Sequence, residues 1–144
     1  MKIVLQRVAS ASVSVDGEVC GKIGKGYLLL VGIGKGDTEE DCRRLADKII
    51  NLRIFSDEND KINLNISSVN GEMLIVSQFT LYADCRKGNR PNFIQAAEPT
   101  EAERLYEYFV SYCIDKYPHV KTGKFGADMK VELINDGPFT VVLE

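Results

Sequence analysis

The sequence predicts one mixed α/β domain over residues 1–144, with a strand-rich mixed sheet or barrel-like core and two main helices packed outside it. Three observations support this fold class. Strand-like stretches outnumber helical ones, each helical stretch separates groups of strands, and no linker, repeat or low-complexity tract divides the chain. A chain of 144 residues is also long enough to bury roughly two thirds of its unfolded surface in a single core.

The N-terminal part of the chain predicts four strands. Alternating apolar residues come first, and Asp16-Gly17 is a strong hairpin signal. A continuous apolar run flanked by glycines follows, which predicts a strand buried on both faces. The four predicted strands cover residues 3–8, 11–15, 19–23 and 27–33.

Two helices follow from N-terminal signals and a period of 3.6 residues. The acidic segment 37–41 begins the first, whose apolar residues recur at 42, 45, 46, 49 and 50, and we include 52–55 in it. The second begins at Pro99-Thr100, with Glu103 completing a capping box, and Pro118 ends it. The other predicted strands are 73–79, 129–134 and 139–143.

Composition excludes several classes of protein. The net charge of −3 argues against a nonspecific nucleic-acid binder, because phosphate affinity depends on local lysine and arginine. The four cysteines lack zinc-ligand spacing, so we expect free thiols in a reducing cytoplasm. The charged N-terminus is not a signal peptide, and no apolar run approaches the roughly 18 residues of a membrane span.

Several tempting motifs do not meet their own requirements. The glycine clusters at 21–26 and 32–36 lack the spacing of phosphate-binding loops and are interpreted as turns. The acidic run 57–60 lacks the glycine and glutamate of a calcium loop. His119 is the only histidine, and its place after Pro118 predicts an exposed loop residue. A serine-histidine triad or zinc hydrolase is therefore not expected.

Two short segments differ from the apolar strands beside them. Ser77-Gln78-Phe79-Thr80 ends an apolar run with polar side chains. Asn135-Asp136-Gly137-Pro138-Phe139-Thr140 places Gly-Pro between two strand-like stretches, where proline donates no ladder hydrogen bond. Taken separately, the first predicts a polar strand end and the second a turn with a trans Gly-Pro bond.

Together and in this order, the two segments resemble the signature motifs of the D-aminoacyl-tRNA deacylase family, which removes D-amino acids wrongly attached to tRNA. Further matches cover nearly the whole chain. They are Leu5-Gln6-Arg7-Val8, Ala11-Ser12-Val13, Leu45-Ala46-Asp47-Lys48-Ile49, Leu52-Arg53-Ile54-Phe55, Leu81-Tyr82-Ala83-Asp84 and Gly123-Lys124-Phe125-Gly126-Ala127-Asp128-Met129. Two positions depart from the family pattern: Phe139 stands where valine is common, which affects the shape of the pocket, and Asn92 where serine is common.

The resemblance implies a tRNA-assisted hydrolysis that needs no side-chain nucleophile. We assign no cofactor and no metal-ligating residues, although the sequence leaves a metal contribution open. Main-chain N–H groups near Phe79 and Thr80 would face the ester carbonyl, with Ser77 and Gln78 supporting the pocket. Thr80 matches a threonine once proposed as a nucleophile, but nothing in the sequence offers it a base, so we assign it an orienting role. The terminal ribose 2′-hydroxyl would assist instead.

The resemblance further implies an obligate homodimer. A cis Gly137-Pro138 turn from one subunit would enter the site of the other, accept hydrogen bonds from the substrate ammonium group and block L side chains. Glycine would be accepted. Asn135 and Thr140 flank this turn, and Arg7 braces it or forms only a surface salt bridge.

The tRNA end is assigned to two other segments. Phe125, Gly126, Ala127 and Met129 would line the pocket of the terminal adenosine. The segment 81–93 carries Arg86, Lys87 and Arg90, with Tyr82 and Phe93 interleaved, and suits an acceptor-stem contact or a solvated loop.

Three functions therefore remain open. The first is a cytoplasmic editing hydrolase that acts on D-aminoacyl-tRNA and mischarged glycyl-tRNA. The second is a noncatalytic dimeric module that binds the acceptor end of tRNA. The third is a conventional threonine or cysteine hydrolase, which requires a base that the sequence does not offer.

Overall fold

The computed structural model describes all residues from 1 to 144. Eight strands and two α-helices form one α/β domain, as predicted, with short 3₁₀ turns at Ser67–Val69 and Phe79–Tyr82. The elements are β1 (Lys2–Val15), β2 (Glu18–Ile23), β3 (Gly26–Gly32), α1 (Glu39–Asn51), β4 (Phe55–Ser56), β5 (Ile62–Leu64), β6 (Glu72–Ser77), α2 (Pro99–Lys116), β7 (Val120–Thr122) and β8 (Lys130–Leu143). None of the helices is both long and apolar enough to cross a membrane.

Six strands form one mixed sheet, which is almost closed into a barrel. The hydrogen-bonded order is β2-β1-β3-β6-β7, and β8 also pairs with β1. The β3–β6 and β6–β7 pairs are parallel, while β1 is antiparallel to β2, β3 and β8. β4 and β5 form a separate two-stranded sheet.

The hydrophobic core has two parts, one on each face of the sheet. The larger contains 22 buried residues and lies under α1 and α2. The smaller contains seven and fills the inside of the barrel. On β3, Tyr27 and Leu29 belong to the larger part and Leu28 to the smaller, so the prediction of a strand buried on both faces is confirmed.

The two helices begin in different ways. Thr38 caps α1 and forms a capping box with Asp41, so the helix begins within the acidic segment, as predicted. The capping box predicted for Thr100 and Glu103 is wrong, because Glu98 occupies the N-cap without a side-chain bond. Pro99 already has the backbone angle of a first helical residue, so Thr100 lies inside the first turn.

Several strand and helix limits differ from the predictions. The segment 52–55 is not helical, because α1 ends at Asn51 and Phe55 pairs in β4. β6 ends at Ser77 instead of continuing to Phe79. The predicted strands 3–8 and 11–15 are one strand, because register shifts against β8 let the chain continue without a turn.

The predicted strands 129–134 and 139–143 also merge, into β8. Gln6 pairs with Thr140 and Val8 with Asn135, so residues 136–139 bulge out of the ladder opposite Arg7. The bulge lets a Gly-Pro dipeptide sit inside a long strand without removing a ladder hydrogen bond. We call residues 135–140 the Gly-Pro bulge.

The glycine clusters 21–26 and 32–36 are only partly turns, because Gly21 lies in β2 and Gly26 and Gly32 lie in β3. Three other sequence interpretations agree with the structure. Residues 57–60 form a turn in which the Asp57 carboxylate accepts main-chain hydrogen bonds from Asn59 and Lys61. His119 is exposed. All four cysteines are free. Burial raises the pKa of Cys42 to about 11 and that of Cys113 to about 12, which keeps both thiols protonated at neutral pH.

Candidate active site

The first motif forms the end of β6 and the 3₁₀ turn that follows it. The main-chain N–H of Gln78 donates to Val31 O at 2.8 Å, which fixes the start of the turn against β3. Leu81 N–H and Ala83 N–H donate to the carbonyls of Gln78 and Thr80. The N–H groups of Phe79 and Thr80 stand at the start of the turn, where a helical turn offers no acceptor.

The hydroxyl of Thr80 is bonded to an amide and not to a base. Gln78 Nε2 donates to Thr80 Oγ1 at 2.5 Å, and both side chains belong to the same short turn. His119, the only histidine, lies instead against Tyr117, with 5.4 Å between ring centroids. The geometry therefore holds the Thr80 hydroxyl in place without activating it as a nucleophile.

A cavity of about 520 Å³ opens beside this turn. It joins three parts of the chain: the end of β6, the start of α2 and the segment between β7 and β8. The lining residues are Val76, Ser77, Gln78, Phe79, Ala97, Pro99, Ala102, Phe125, Gly126, Ala127, Asp128, Met129 and Val131. Three residues of the first motif thus meet the four residues predicted to hold the adenosine, whereas Thr80 is exposed outside the lining.

The far wall of the cavity is tied to β6 through one carbonyl. Tyr106 Oη and Gly123 N both donate to Ile75 O at 3.0 Å. The ring of Tyr106 packs on Phe125, with 5.6 Å between centroids. A Cβ at Gly123 would lie 2.6 Å from the sulfur of Met129, so the absence of a side chain lets Met129 pack directly on the main chain here. Sequence analysis missed both supporting residues, since a tyrosine on a helix and a glycine in a loop carry no distinct signal.

Close packing on glycine also occurs at the end of β3, which contacts the cavity lining through Ala97. A Cβ on Gly34 would lie 2.5 Å from the ring of Tyr82, so the ring seats directly on the glycine backbone. Ile33 O accepts from Ala97 N at 3.0 Å, which connects the same strand end to the cavity lining. Burial and the nearby Asp37 raise the pKa of Tyr82, whose hydroxyl stays protonated. These glycines serve close packing as well as turning.

The second motif lies elsewhere on the chain. The Gly137-Pro138 peptide bond is cis, so the trans geometry expected from the residues alone is wrong. Every residue of the Gly-Pro bulge except Phe139 is exposed, and none lines the cavity of its own chain. The structure therefore does not bring the two motifs together within one chain.

Arg7 holds the Gly-Pro bulge in place. Its Nε donates to Asp136 O at 3.0 Å, and its Nη1 donates to Ile54 O at 2.6 Å. The guanidinium also lies 4.9 Å from the centre of the Phe139 ring. Arg7 is only 9% exposed and is the one charged residue among the buried side chains. Its contacts are therefore not those of a surface salt bridge. The bulky Phe139 forms part of this support.

The basic loop, residues 84–92, is exposed apart from the half-buried Asp84. Arg86 donates to both carboxylate oxygens of Asp84, at 2.9 and 2.7 Å, and holds the pKa of that carboxyl well below its usual range. Lys87 and Arg90 form no salt bridge. The two aromatic residues predicted to interleave with these cations are already in contact with protein, Tyr82 on Gly34 and Phe93 against Phe79.

Comparison with known proteins gives a consistent result over the whole chain. A family model described as D-Tyr-tRNA(Tyr) deacylase matches residues 4–144. D-aminoacyl-tRNA deacylases from Clostridium botulinum (strain Eklund 17B / Type B) and Thermosipho africanus (strain TCF52B) are each 56% identical over 100% of this chain and 97% of their own length.

Two solved structures share the fold. The c-Myc DNA Unwinding Element Binding Protein superposes with a TM-score of 0.95 at 43% identity, and the match covers 100% of this chain and 98% of that one. A structure described as a probable eukaryotic D-amino acid tRNA deacylase superposes with a TM-score of 0.85 over 99% of this chain and 97% of its own. At 16% identity the second match shows the fold alone.

These matches define the class of the protein as a hydrolase. The chain belongs to the D-aminoacyl-tRNA deacylase family, and it is an enzyme with that activity. The family predicted from the two motifs is confirmed.

Proposed function

We propose that this enzyme edits tRNA by cleaving the ester of D-aminoacyl-tRNA and of glycyl-tRNA charged to the wrong tRNA, while sparing L-aminoacyl-tRNA. The observation that carries the proposal is the cavity that joins Ser77, Gln78 and Phe79 to the segment 125–129. Asp128 is the only titratable side chain in its lining. A site with so little acid-base equipment suits an ester that is already activated by its own ammonium group and needs chiefly placement.

In the proposed mechanism, the terminal adenosine occupies the part of the cavity lined by Phe125, Gly126, Ala127 and Met129. The ester carbonyl then faces the N–H groups of Phe79 and Thr80, which stabilise the oxyanion as water attacks the carbonyl carbon. The bond from that carbon to the ribose 3′-oxygen breaks, and the 3′-oxygen takes up the proton. The neighbouring 2′-hydroxyl assists this transfer, so neither a protein nucleophile nor a cofactor is needed.

Selection against L substrates is assigned to the Gly-Pro bulge of the partner subunit. The carbonyl oxygens of Gly137 and Pro138 would accept hydrogen bonds from the substrate ammonium group. With the ammonium and the ester both held, a rigid main chain would occupy the space of an L side chain and leave the D direction open. The absence of the bulge from the cavity lining of its own chain supports an obligate homodimer, and exposure of residues 135–138 leaves the bulge available to a partner.

The tRNA body is assigned to the basic loop. Lys87 and Arg90 have no carboxylate partner and are free to contact acceptor-stem phosphates, whereas Arg86 is already paired with Asp84. This contact is local and is compatible with a net charge of −3. The proposed site of action is the cytoplasm, where aminoacylated tRNA is used.

The decisive experiment compares D-tyrosyl-tRNA with L-tyrosyl-tRNA. We expect release of D-tyrosine at a rate roughly 100-fold or more above that of L-tyrosine, equivalent to about 2.7 kcal/mol between the two transition states. Labelled amino acid released per unit time measures both rates. Equal hydrolysis of the two esters would contradict chiral selection, and tight binding without release of either would indicate a noncatalytic binding module.

A second experiment separates the tRNA-assisted mechanism from a threonine hydrolase. Thr80→Ala is expected to keep activity within about tenfold of the wild type, because no base activates the Thr80 hydroxyl and the main-chain N–H groups proposed to stabilise the oxyanion remain in place. A substrate whose terminal adenosine lacks the 2′-hydroxyl should instead react about 100-fold more slowly or worse. Single-turnover rates on both substrates provide the test. Complete loss of turnover in a folded Thr80→Ala protein, with normal hydrolysis of the 2′-deoxy substrate, would reverse the assignment.

A further inference from the structure

An exposed aromatic ring stands at the edge of the cavity. Phe79 is 57% exposed, although it is apolar and belongs to the turn that lines the site. Its ring meets Phe93 edge to face, with 5.0 Å between centroids and 66° between planes. Neighbouring Ile94 is 65% exposed, so the apolar surface continues around Phe93. Exposed apolar surface of this kind beside a functional site indicates that a ligand or a partner binds there and covers it.

The charges nearby indicate the chemistry of the occupant. Phe93 follows the basic loop directly in sequence, and that loop carries the unpaired cations Lys87 and Arg90. Aromatic rings combined with positive charge are the usual equipment for binding single-stranded nucleic acid, because bases stack on the rings while cations follow the phosphates. A protein partner that bound through apolar contacts alone would not need Lys87 and Arg90 beside the rings.

We propose that Phe79, supported by Phe93, is a stacking platform for the unpaired nucleobase that precedes the terminal adenosine of the bound tRNA. The inference rests on the proposed function, which places the terminal adenosine deeper in the cavity beside Phe125. The next base along the single-stranded end then lies at the rim, where Phe79 is exposed. Contact between Phe79 and Phe93 restricts the ring before the base arrives, so less conformational freedom is lost on binding.

The test uses two D-tyrosyl-tRNA substrates, one intact and one with an abasic nucleotide at the position before the terminal adenosine. For the wild-type enzyme we expect the abasic substrate to bind roughly 5- to 150-fold more weakly, which is the range for stacking one base on an aromatic ring. Rates at saturating enzyme should be equal, because the reacting ester is unchanged. Single-turnover rates at increasing enzyme concentration give the dissociation constants of the two substrates.

Phe79→Leu is expected to bind the two substrates alike, and Phe93→Leu is expected to show an intermediate ratio. Because each variant is judged by the ratio between its two substrates, any general effect on the turn cancels. Ile62→Ala is the matched control, since Ile62 is 56% exposed on the separate small sheet, and it should keep the wild-type ratio.

Two outcomes would overturn the inference: a wild-type enzyme indifferent to the missing base, or a Phe79→Leu protein that keeps the full ratio. If the Phe79→Leu protein keeps the ratio and also loses its dimer in sedimentation, the rings form a contact between subunits instead. Failure of the wild type to hydrolyse any D-tyrosyl-tRNA is a separate result, because it would contradict the proposed function itself.

Discussion

Gly26→Ala is expected to destabilise the fold by about 4 kcal/mol or more, which is at the extreme of single substitutions. A Cβ at this position would overlap the main chain of Glu72, and its distance from the Glu72 nitrogen would be 2.6 Å. Gly26 and Glu72 are the first pair of the parallel β3–β6 ladder, so neither main chain can move away without disrupting the pairing of the two strands. Urea unfolding followed by circular dichroism at fixed protein concentration measures the loss of stability.

Gly24→Ala is the matched control for this experiment. It lies two residues away, and a Cβ there would meet only a carboxylate oxygen of Glu72, at an ordinary contact distance of 3.7 Å. We expect a change within about 0.5 kcal/mol, typical of surface positions. A Gly26→Ala protein as stable as Gly24→Ala would mean that β3 and β6 can separate locally to make room for the methyl group.

Arg7→Met is expected to lower kcat/KM by about 100-fold or more, because a displacement near 1 Å of a positioning group has an effect of that size. The substitution leaves Asp136 O and Ile54 O without their donor, so we also expect a stability loss of about 2–4 kcal/mol. Arg7→Lys should be intermediate, since one ammonium group cannot replace a planar guanidinium at two acceptors. Kinetics and urea unfolding on both variants provide the measurements.

A mixed dimer shows whether the braced bulge acts on the partner. One protomer carries Arg7→Met and keeps an intact cavity, and the other carries Ala127→Trp, which fills the cavity but keeps the bulge braced. Purified with two affinity tags, the mixed dimer should recover about half of the wild-type activity, because one of its two sites has both parts. Recovery no higher than in either parent variant would place the bulge in the site of its own chain.

Much of the fold follows from local patterns in the sequence. The 27–33 run, the hairpin at Asp16-Gly17 and the start of the first helix within the segment 37–41 each depend on neighbours within a few residues, and each prediction holds. The errors occur where a distant strand decides the outcome. Residues 9 and 10 continue β1 because β8 pairs with both halves of that strand, and β8 remains one strand because its extra residues leave the ladder together. Neither pairing can be read from local sequence.

The candidate site was predicted only in part, for the same reason. The two motifs identified Ser77, Gln78 and Phe79, and the family resemblance added the segment 125–129, with which they share a cavity. The groups that position this cavity, such as Tyr106 and Gly34, depend on contacts between elements far apart in sequence. The cis state of Gly137-Pro138 likewise depends on its surroundings, because an isolated Gly-Pro bond favours trans.

The hydrogen bond from the Gln78 amide to Thr80 has a consequence for inhibitor chemistry. Electrophilic warheads such as fluorophosphonates and β-lactones label hydrolases by reacting with an oxygen that a neighbouring base has activated. Thr80 has no such base, so activity-based profiling with these reagents would pass over the enzyme in a cell extract. Under the proposed mechanism, effective inhibitors would instead be stable amide or phosphonate analogues of the aminoacyl-adenosine ester, whose affinity would come from shape and from main-chain hydrogen bonds. Because these compounds do not react with a side chain, an enzyme could not become resistant to them by substituting one reactive residue.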